Sequence, residues 1–354
     1  MQETLRLDPS LIMVTGGNGW LGRRVVDALT GGLSNLPVTA SGGCRVRCLV
    51  PAGDDVRALL ERGVEIVSGD IRDERAVTDL VGGGRGGLLI HLAGIIHPRK
   101  VTEFQEINTA GTANLLAAAR REGVSRMVVM SSNSPMGCNP YPDHRFTEDS
   151  PYNPYMGYGR SKWLMELALG AAIVAGIGPE IVILRAPWFY GPGQPVRQTQ
   201  FFTMIKNGRF PIVGTGSNRR SMGYVDNLTQ GVLLASAHPT AAGRTYWIAD
   251  EIPYSMREII DTVRGVLRDD FAMKVVDKTI HLPDAVGNIA TLADSMLQAI
   301  GIYQQKIHVL SEMNKTIACD IARAKTELGY RPAVGLREGM RRSVEWCLAN
   351  GQTI

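Results

Sequence analysis

Gly16, Gly19 and Gly22 stand three residues apart, directly after the apolar run Leu11-Ile12-Met13-Val14-Thr15 and directly before Arg23 to Leu29. The apolar run has the character of a buried strand, and the segment after the turn reads as a helix. A strand, a glycine turn and a helix in that order let backbone approach an anion at the positive end of the helix. Glycine is required there because a Cβ would obstruct the turn, the ligand or the packing of helix on strand. A chain with 40 glycines can produce such spacing without a ligand, so the surroundings have to support the reading.

They do so by alternation. Arg45 to Val50, Val64 to Val67, Leu88 to Leu92, Arg126 to Met130 and Ile181 to Leu184 read as strands. Asp54 to Arg62, Thr109 to Glu122 and Tyr155 to Ala175 read as helices between them. Short, almost wholly apolar strands alternating with helices predict a doubly wound parallel α/β sheet of the Rossmann type, covered on both faces. Residues 1–186 are expected to form this dinucleotide-binding part, with 224–250 returning to it through a strand at Thr245 to Ala249. Residues 187–223 and 251–354 are expected to form a smaller, mostly helical C-terminal lobe for substrate. Its helices are expected at Met256 to Leu267, Asp284 to Ile300, Ile321 to Leu328 and Leu336 to Leu348. Prolines and glycines between Pro187 and Gly216 predict loops there, and Gly31 to Gly43 reads as an exposed insertion.

Composition narrows the function. A net charge of +4 over 354 residues, without a basic run, does not favour nucleic acid. Five scattered cysteines and six dispersed histidines have no metal-ligand spacing, so no metal is expected. An odd cysteine count suits a reducing compartment. The N-terminus has no secretory pattern, and no apolar window reaches the ~20 residues of a membrane span. The expectation is a cytoplasmic protein acting on a small molecule, with no membrane partner.

Tyr158 and Lys162 lie four apart in the predicted helix, hence on one face. A phenol with an ordinary pKa of about 10 is a poor base near neutrality. A nearby ammonium favours the phenolate and is expected to bring that value down. Standing alone, such a pair is usually plain helix surface. Ser131, Ser132, Asn133 and Ser134 follow the fifth strand, however, at the sheet edge where ligands bind. One of these hydroxyls can hold a substrate oxygen beside Tyr158. Tyr155 is the competing phenol, without a lysine at the matching spacing.

These residues converge on a resemblance. The chain resembles the extended short-chain dehydrogenase/reductases, a group that includes nucleotide-sugar epimerases, dehydratases and 3β-hydroxysteroid dehydrogenases. Thr15-Gly16-Gly17-Asn18-Gly19-Trp20-Leu21-Gly22 is similar to the family's T-G-G-x-G-F-[LI]-G, with Trp20 in place of Phe. Ser68-Gly69-Asp70-Ile71-Arg72-Asp73 is similar to G-D-[LI]-x-D, which implies that Asp70 and Ile71 hold adenine. His91-Leu92-Ala93-Gly94 resembles the segment lining the cofactor. Asn108-Thr-Ala-Gly-Thr112 resembles N-x-x-G-T, whose asparagine supports the active-site hydrogen bonds. Ser132, Tyr158 and Lys162 match the catalytic serine and Y-x-x-x-K, with Ser161 and Glu166 in their usual places. Leu184 to Gly193 is similar to L-R-P-x-x-x-Y-G-P-G, with Pro187 displaced by one. Arg220 to Asn227 resembles R-x-x-x-Y-V-x-D, and Asp320 to Pro332 the family's closing segment.

The resemblance implies hydride transfer with NAD or NADP at a secondary alcohol or ketone. Ser132, Tyr158 and Lys162 would be catalytic. Gly16, Asn18, Gly19, Trp20, Leu21, Gly22, Asp70, Ile71, Leu92, Ala93, Gly94, Asn108 and Pro187, together with Tyr158 and Lys162, would meet the cofactor. Ser132, Asn133, Tyr190 and Arg220 would meet substrate. It also implies a homodimer. Val50-Pro51-Ala-Gly-Asp54-Asp55 has no cation for a 2′-phosphate, which leans toward NAD. Phe210 to Gly216 with Arg219-Arg220 is similar to a nucleotide-sugar segment, and an arginine fork suits phosphate. Tyr224 to Asn227 and Leu282 to Ile307 look closer to 3β-hydroxysteroid dehydrogenases. Asn133-Ser134 lacks the acid pair of the 4,6-dehydratases, which disfavours dehydration. A non-catalytic nucleotide-binding sensor or scaffold is the alternative of another class, and the intact Tyr158/Lys162 pair argues against it.

Overall fold

A computed structural model describes residues 5–33 and 36–354. Seven strands form one sheet: β1 (Leu11–Thr15), β2 (Arg45–Val50), β3 (Glu65–Ser68), β4 (Leu88–His91), β5 (Arg126–Ser132), β6 (Glu180–Ala186) and β7 (Thr245–Trp247). Their order across the sheet is β7-β6-β5-β4-β1-β2-β3, and every pairing is parallel. The strand order reverses between β1 and β4, which places a crevice at their carboxyl ends.

Period-two alternation explains why the strands are so apolar. In β1, Ile12 and Val14 belong to one core with α1 (Trp20–Leu29) and, further along the chain, the helix Val225–Ala237. Leu11 and Met13 belong to a second core on the opposite face. The helices α2 (Glu74–Val81), α3 (Thr112–Glu122) and α4 (Met156–Ala175) cover that second face. Both faces are buried, so most strand positions are apolar, and the buried polar ones, such as His91, Ser131 and Arg185, fall toward the carboxyl ends of β4, β5 and β6. The C-terminal lobe has its own core, in which α5 (Val196–Lys206) packs near Tyr190, Tyr224 and the later helices.

Several expectations change. The span Gly31 to Gly43 is not wholly an exposed insertion, because Val38–Ala40 pairs in parallel with Leu5–Leu7; Ser34 and Asn35 lie outside the described residues. The expected helix Asp54 to Arg62 shrinks to one turn, Arg57–Leu60. Asp73 caps α2 by accepting from the Arg75 amide, a helix the sequence reading did not locate. The loop-rich stretch after Pro187 contains α5. The helix α6 (Val225–Ala237) lies where only a returning strand was expected. Ten of its residues are buried, so it lacks the polar face that marks an ordinary surface helix. The chain continues with α7 (Met256–Gly265), α8 (Asp284–Ala299), α9 (Gln305–Glu312), α10 (Ala322–Leu328) and α11 (Leu336–Ala349). Of these, α10 packs on the core of the sheet, through Ala324 and Leu328, and not in the lobe where 251–354 was expected.

Candidate active site

The glycine turn is built as its spacing requires. Gly16 has φ +72°, and a Cβ there would lie 2.7 Å from the Ala93 nitrogen. A Cβ on Gly22 would lie 1.9 Å from the Gly16 carbonyl oxygen. Both contacts are with backbone that cannot yield. Gly19 precedes α1, which has no side-chain cap and no acid in its first turn. Its first amides are therefore free to meet an anion. This cradle fits a dinucleotide pyrophosphate.

The neighbouring residues serve it unequally. Leu92, Ala93 and Gly94 follow β4, and the Ala93 amide donates to Thr15 Oγ1 at 3.3 Å. Leu21 and Ile71 are core residues, Ile71 lying where a Cβ on Gly111 would collide with it. Trp20 donates from Nε1 to the Pro192 carbonyl at 2.8 Å, which ties the loop after Pro187 to the glycine turn. Asp70 pairs with Arg72 at 2.8 Å, and that guanidinium's hydrogen bond holds its carboxyl below the ordinary value. Beside the glycine turn, α1 adds a cation of its own. Arg23 donates to Asn18 Oδ1 at 2.8 and 3.1 Å, and Asn18 donates to Asp54 at 3.4 Å.

At the end of β5 the serines separate by role. Ser131 donates to Glu166, which also receives Tyr152 and forms a buried pair with Arg185 at 2.7 Å. Ser131 is thus committed to structure. Ser132 lies close enough to the Tyr158 phenol to oppose the rise in its pKa, while its own Oγ reaches Asn133 Oδ1 and Ser134 Oγ at 3.4 Å and receives the Ser134 amide at 3.3 Å. Asn133 is half-buried beside them. Asn108 lies in a widened turn, Phe104–Gly111, and is fixed on three sides. It receives the Ile95 amide at 2.8 Å and donates to the Ile95 carbonyl and to Ser161 Oγ, both at 3.0 Å. A Cβ on Gly94 would stand 3.1 Å from Asn108 Oδ1 and 3.3 Å from Lys162 Nζ. Glycine there is what lets both buried polar groups approach the backbone so closely.

The charge states differ from the simple expectation. Lys162 donates to the Met130 carbonyl at 2.9 Å, and burial brings its pKa down to about 8 against the pull of Glu166. Tyr158 is pushed up to about 12 by burial, opposed by Ser132 and reinforced by the Glu312 carboxylate. The expected lowering by Lys162 does not occur: the ammonium is bonded to the Met130 carbonyl, and burial is the largest influence on the phenol. The phenol is a proton donor at neutral pH.

The lobe supplies a wall that the sequence reading missed. Phe104 packs on Tyr158 at 5.9 Å and on Tyr303 at 5.7 Å, and Tyr303 packs on His308 at 5.5 Å. Asp294 accepts from His308 Nδ1 at 2.7 Å. Tyr155 is bonded to Ser311 at 2.7 Å, so this competitor faces α9. Gln298 of α8 accepts the Gly157 amide at 2.9 Å, beside Met156 at φ +53°, which opens the catalytic helix. The signal in the chain was an acid, Asp294, in the interior of a helix whose other acid, Asp284, stands in its first turn.

Two expected substrate residues move. Tyr190 is in the lobe core, donating to Asp250 at 2.6 Å and packing on Tyr224. It supports the lobe and has no free hydroxyl to offer. Arg220 is nearly buried, donates to the Glu312 carbonyl and lies 3.9 Å from its carboxylate. Its Nε is buried without a partner. Arg220 faces Glu312, which itself bears on Tyr158, so it remains on the substrate side but is already countered by an internal anion. Pro187 is buried between β6 and the strand Trp188–Tyr190, at the sheet's carboxyl edge.

The pattern of the NAD dependent epimerase/dehydratase family matches residues 12–249. The chain is 59% identical, over the full length of both, to the uncharacterized protein y4nL of Sinorhizobium fredii. It is 26% identical to UDP-glucose 4-epimerase of Vibrio cholerae, covering 95% of each chain. Among solved structures it is similar to a double mutant of DesIV, a dTDP-glucose 4,6-dehydratase of Streptomyces venezuelae with NAD and DAU bound. That match has a TM-score of 0.71 and 25% identity, covering 96% of this chain and 97% of the other.

Proposed function

Because the chain belongs to the NAD dependent epimerase/dehydratase family, we propose that it oxidises or epimerises a secondary alcohol of a nucleotide-linked sugar, using NAD. The observation that carries this reading is the convergence of Ser132, Tyr158 and Lys162 on the crevice beside the glycine cradle. Bound nicotinamide supplies the hydride acceptor or donor. Gly16, Gly19 and Gly22 would hold its pyrophosphate, Asp70 and Ile71 its adenine, and Lys162 its nicotinamide ribose.

The chain's own residues handle the proton. In the reducing direction Tyr158 gives its proton to a carbonyl oxygen held by Ser132. Its high pKa suits that step and makes phenolate formation costly in the reverse one. Lys162, at about 8, is mostly protonated near neutrality and limits that cost. Asn108 positions the helix of Tyr158 through Ser161. Arg220 would meet the diphosphate of the nucleotide, exchanging Glu312 for it.

One observation favours a second reading. With Glu312 already opposite Arg220, an uncharged hydroxysteroid-like alcohol would need no exchange of partners. Assays against UDP-sugars, dTDP-sugars and 3β-hydroxysteroids, following NADH and product stereochemistry, separate the two. Turnover of a nucleotide sugar with NAD is expected. Turnover of steroids alone would replace the first reading, and inertness toward every alcohol would reduce the protein to a nucleotide binder. A strong preference for NADP would show that Arg23, not Asp54, reads the ribose. The homodimer implied by resemblance would use the outer faces of α3 and α4, where Leu116, Ala117 and Ala168 line a shallow apolar groove.

A further inference from the structure

The α8–α9 wall has an outer face that the catalytic reading leaves without a task. On α8 and its C-cap the outward positions Ile289, Leu292, Met296 and Ile300 are 67%, 58%, 60% and 72% exposed. The acids of that helix are Asp284 at its start and Asp294, which is buried against His308. A helix facing water ordinarily turns polar residues outward. A contiguous apolar stripe of this kind marks a contact surface.

Three segments remote in sequence meet at the turn between α8 and α9. His97 Nδ1 is bonded to the Tyr303 hydroxyl at 2.7 Å, and Gln305 reaches His97 Nε2 at 3.4 Å. Burial first, and the nearby Arg197 guanidinium second, hold the His97 imidazole neutral with a pKa of about 4. Arg197 also bears on Tyr303. Each segment exposes an apolar tip: Ile96 at 46%, Val196 at 66% and Ile302 at 44%. Each also exposes a base, in Arg99 and Lys100, in Arg197, and in Lys306. Across residues 95–103, 195–200 and 299–309 the one acid is Glu103. Its carboxylate accepts the backbone amides of Arg99 and Lys100.

Apolar tips ringed by bases suit a surface that is anionic outside and apolar beneath. A nucleic acid would leave the isoleucines without a partner. A second copy of the same face, related by a two-fold axis, would set like charges against each other. We propose that this face docks peripherally on an anionic lipid bilayer, with the isoleucine tips among the headgroups and the bases on phosphate. A contact of this kind needs no membrane-spanning helix, and among the described residues no helix is long and apolar enough to be one. The cleft would then open close to the bilayer, since Tyr303 connects through Phe104 to Tyr158. The inference stands independently of the substrate proposed above.

Co-sedimentation of the full chain with vesicles tests it. Vesicles of roughly equal phosphatidylglycerol and phosphatidylcholine should bind at low salt, weaken with added salt, and exceed phosphatidylcholine alone. Replacing three bases together (Arg99→Gln, Lys100→Gln, Lys306→Gln) should lower that affinity about a hundredfold, at roughly fivefold per base. Ile300→Ser with Ile302→Ser should lower it as well. Both variants should retain the melting temperature and NAD binding of the parent. Absence of binding to the anionic vesicles, or binding that neither variant changes, overturns the proposal. So does a fall in sedimentation-equilibrium mass in the isoleucine variant with vesicle binding intact, which would mark the face as a contact between copies.

Discussion

The carboxyl edge of the sheet and the inner wall of the lobe approach Tyr158 from opposite sides, and they are built by different means. The sheet edge works through backbone. Gly16 and Gly22 leave no room for a Cβ, and Asn108 is held on three sides. The lobe wall works through side chains drawn from separate elements, with Asp294 on His308 and Arg220 on Glu312. A backbone site is fixed once the sheet forms. A side-chain site can differ among proteins that share the sheet, and it is where substrate choice resides.

This contrast can be broken in graded ways. Tyr158→Phe removes the proton that both sides serve. Turnover should fall about 10²–10⁴-fold while NAD binding, followed by fluorescence titration, stays near that of the parent. An unchanged rate would take the chemistry away from this residue. Glu166→Gln leaves Arg185 charged and buried without its partner. Unfolding by denaturant should show a loss of about 3–5 kcal/mol, and a loss under 1 kcal/mol would mean that the pair is poorly desolvated.

Gly16→Ala tests the backbone side alone. A left-handed φ costs a residue with a Cβ about 1–2 kcal/mol, and the Cβ also meets Ala93. NAD affinity measured by calorimetry should drop about tenfold or more, and an unaffected affinity would remove the cradle from the cofactor site. Asp294→Asn tests the lobe alone, with the smallest effect. Burial lowers the His308 pKa, but the Asp294 hydrogen bond and the Glu312 charge outweigh it and leave the value raised. The contribution is therefore fully present below pH about 6.5 and is lost as pH rises through the folded-state value. The variant should lose about 1 kcal/mol in acid, the difference shrinking at alkaline pH. A difference that grew with pH would show that His308 is neutral in its pair.

Legibility followed the same division. The strand runs were readable because burial on both faces favours apolar residues at successive positions, as from Leu11 to Val14 in β1. The glycine turn was readable because backbone sterics admit one residue type. Tyr158 and Lys162 were readable because helix geometry sets which residues share a face. The helix α6 was not, since its burial all round erases the periodic signal. Nor was the displacement of Tyr190 into the lobe core, because a phenol that meets substrate and one that meets Asp250 look alike in a chain.

The sequence by itself determined the parallel sheet, the glycine turn at its carboxyl edge and the shared helix of Tyr158 and Lys162. Each of these depends on local sterics or on the period of an element. Only the tertiary structure decided that Tyr158 is neutral, that Glu312 opposes Arg220, and that an uncharged helix face lies exposed beside the cleft. Those outcomes depend on desolvation and on contacts between segments hundreds of residues apart, as His97 on Tyr303 illustrates. Local pattern carries no record of such distances.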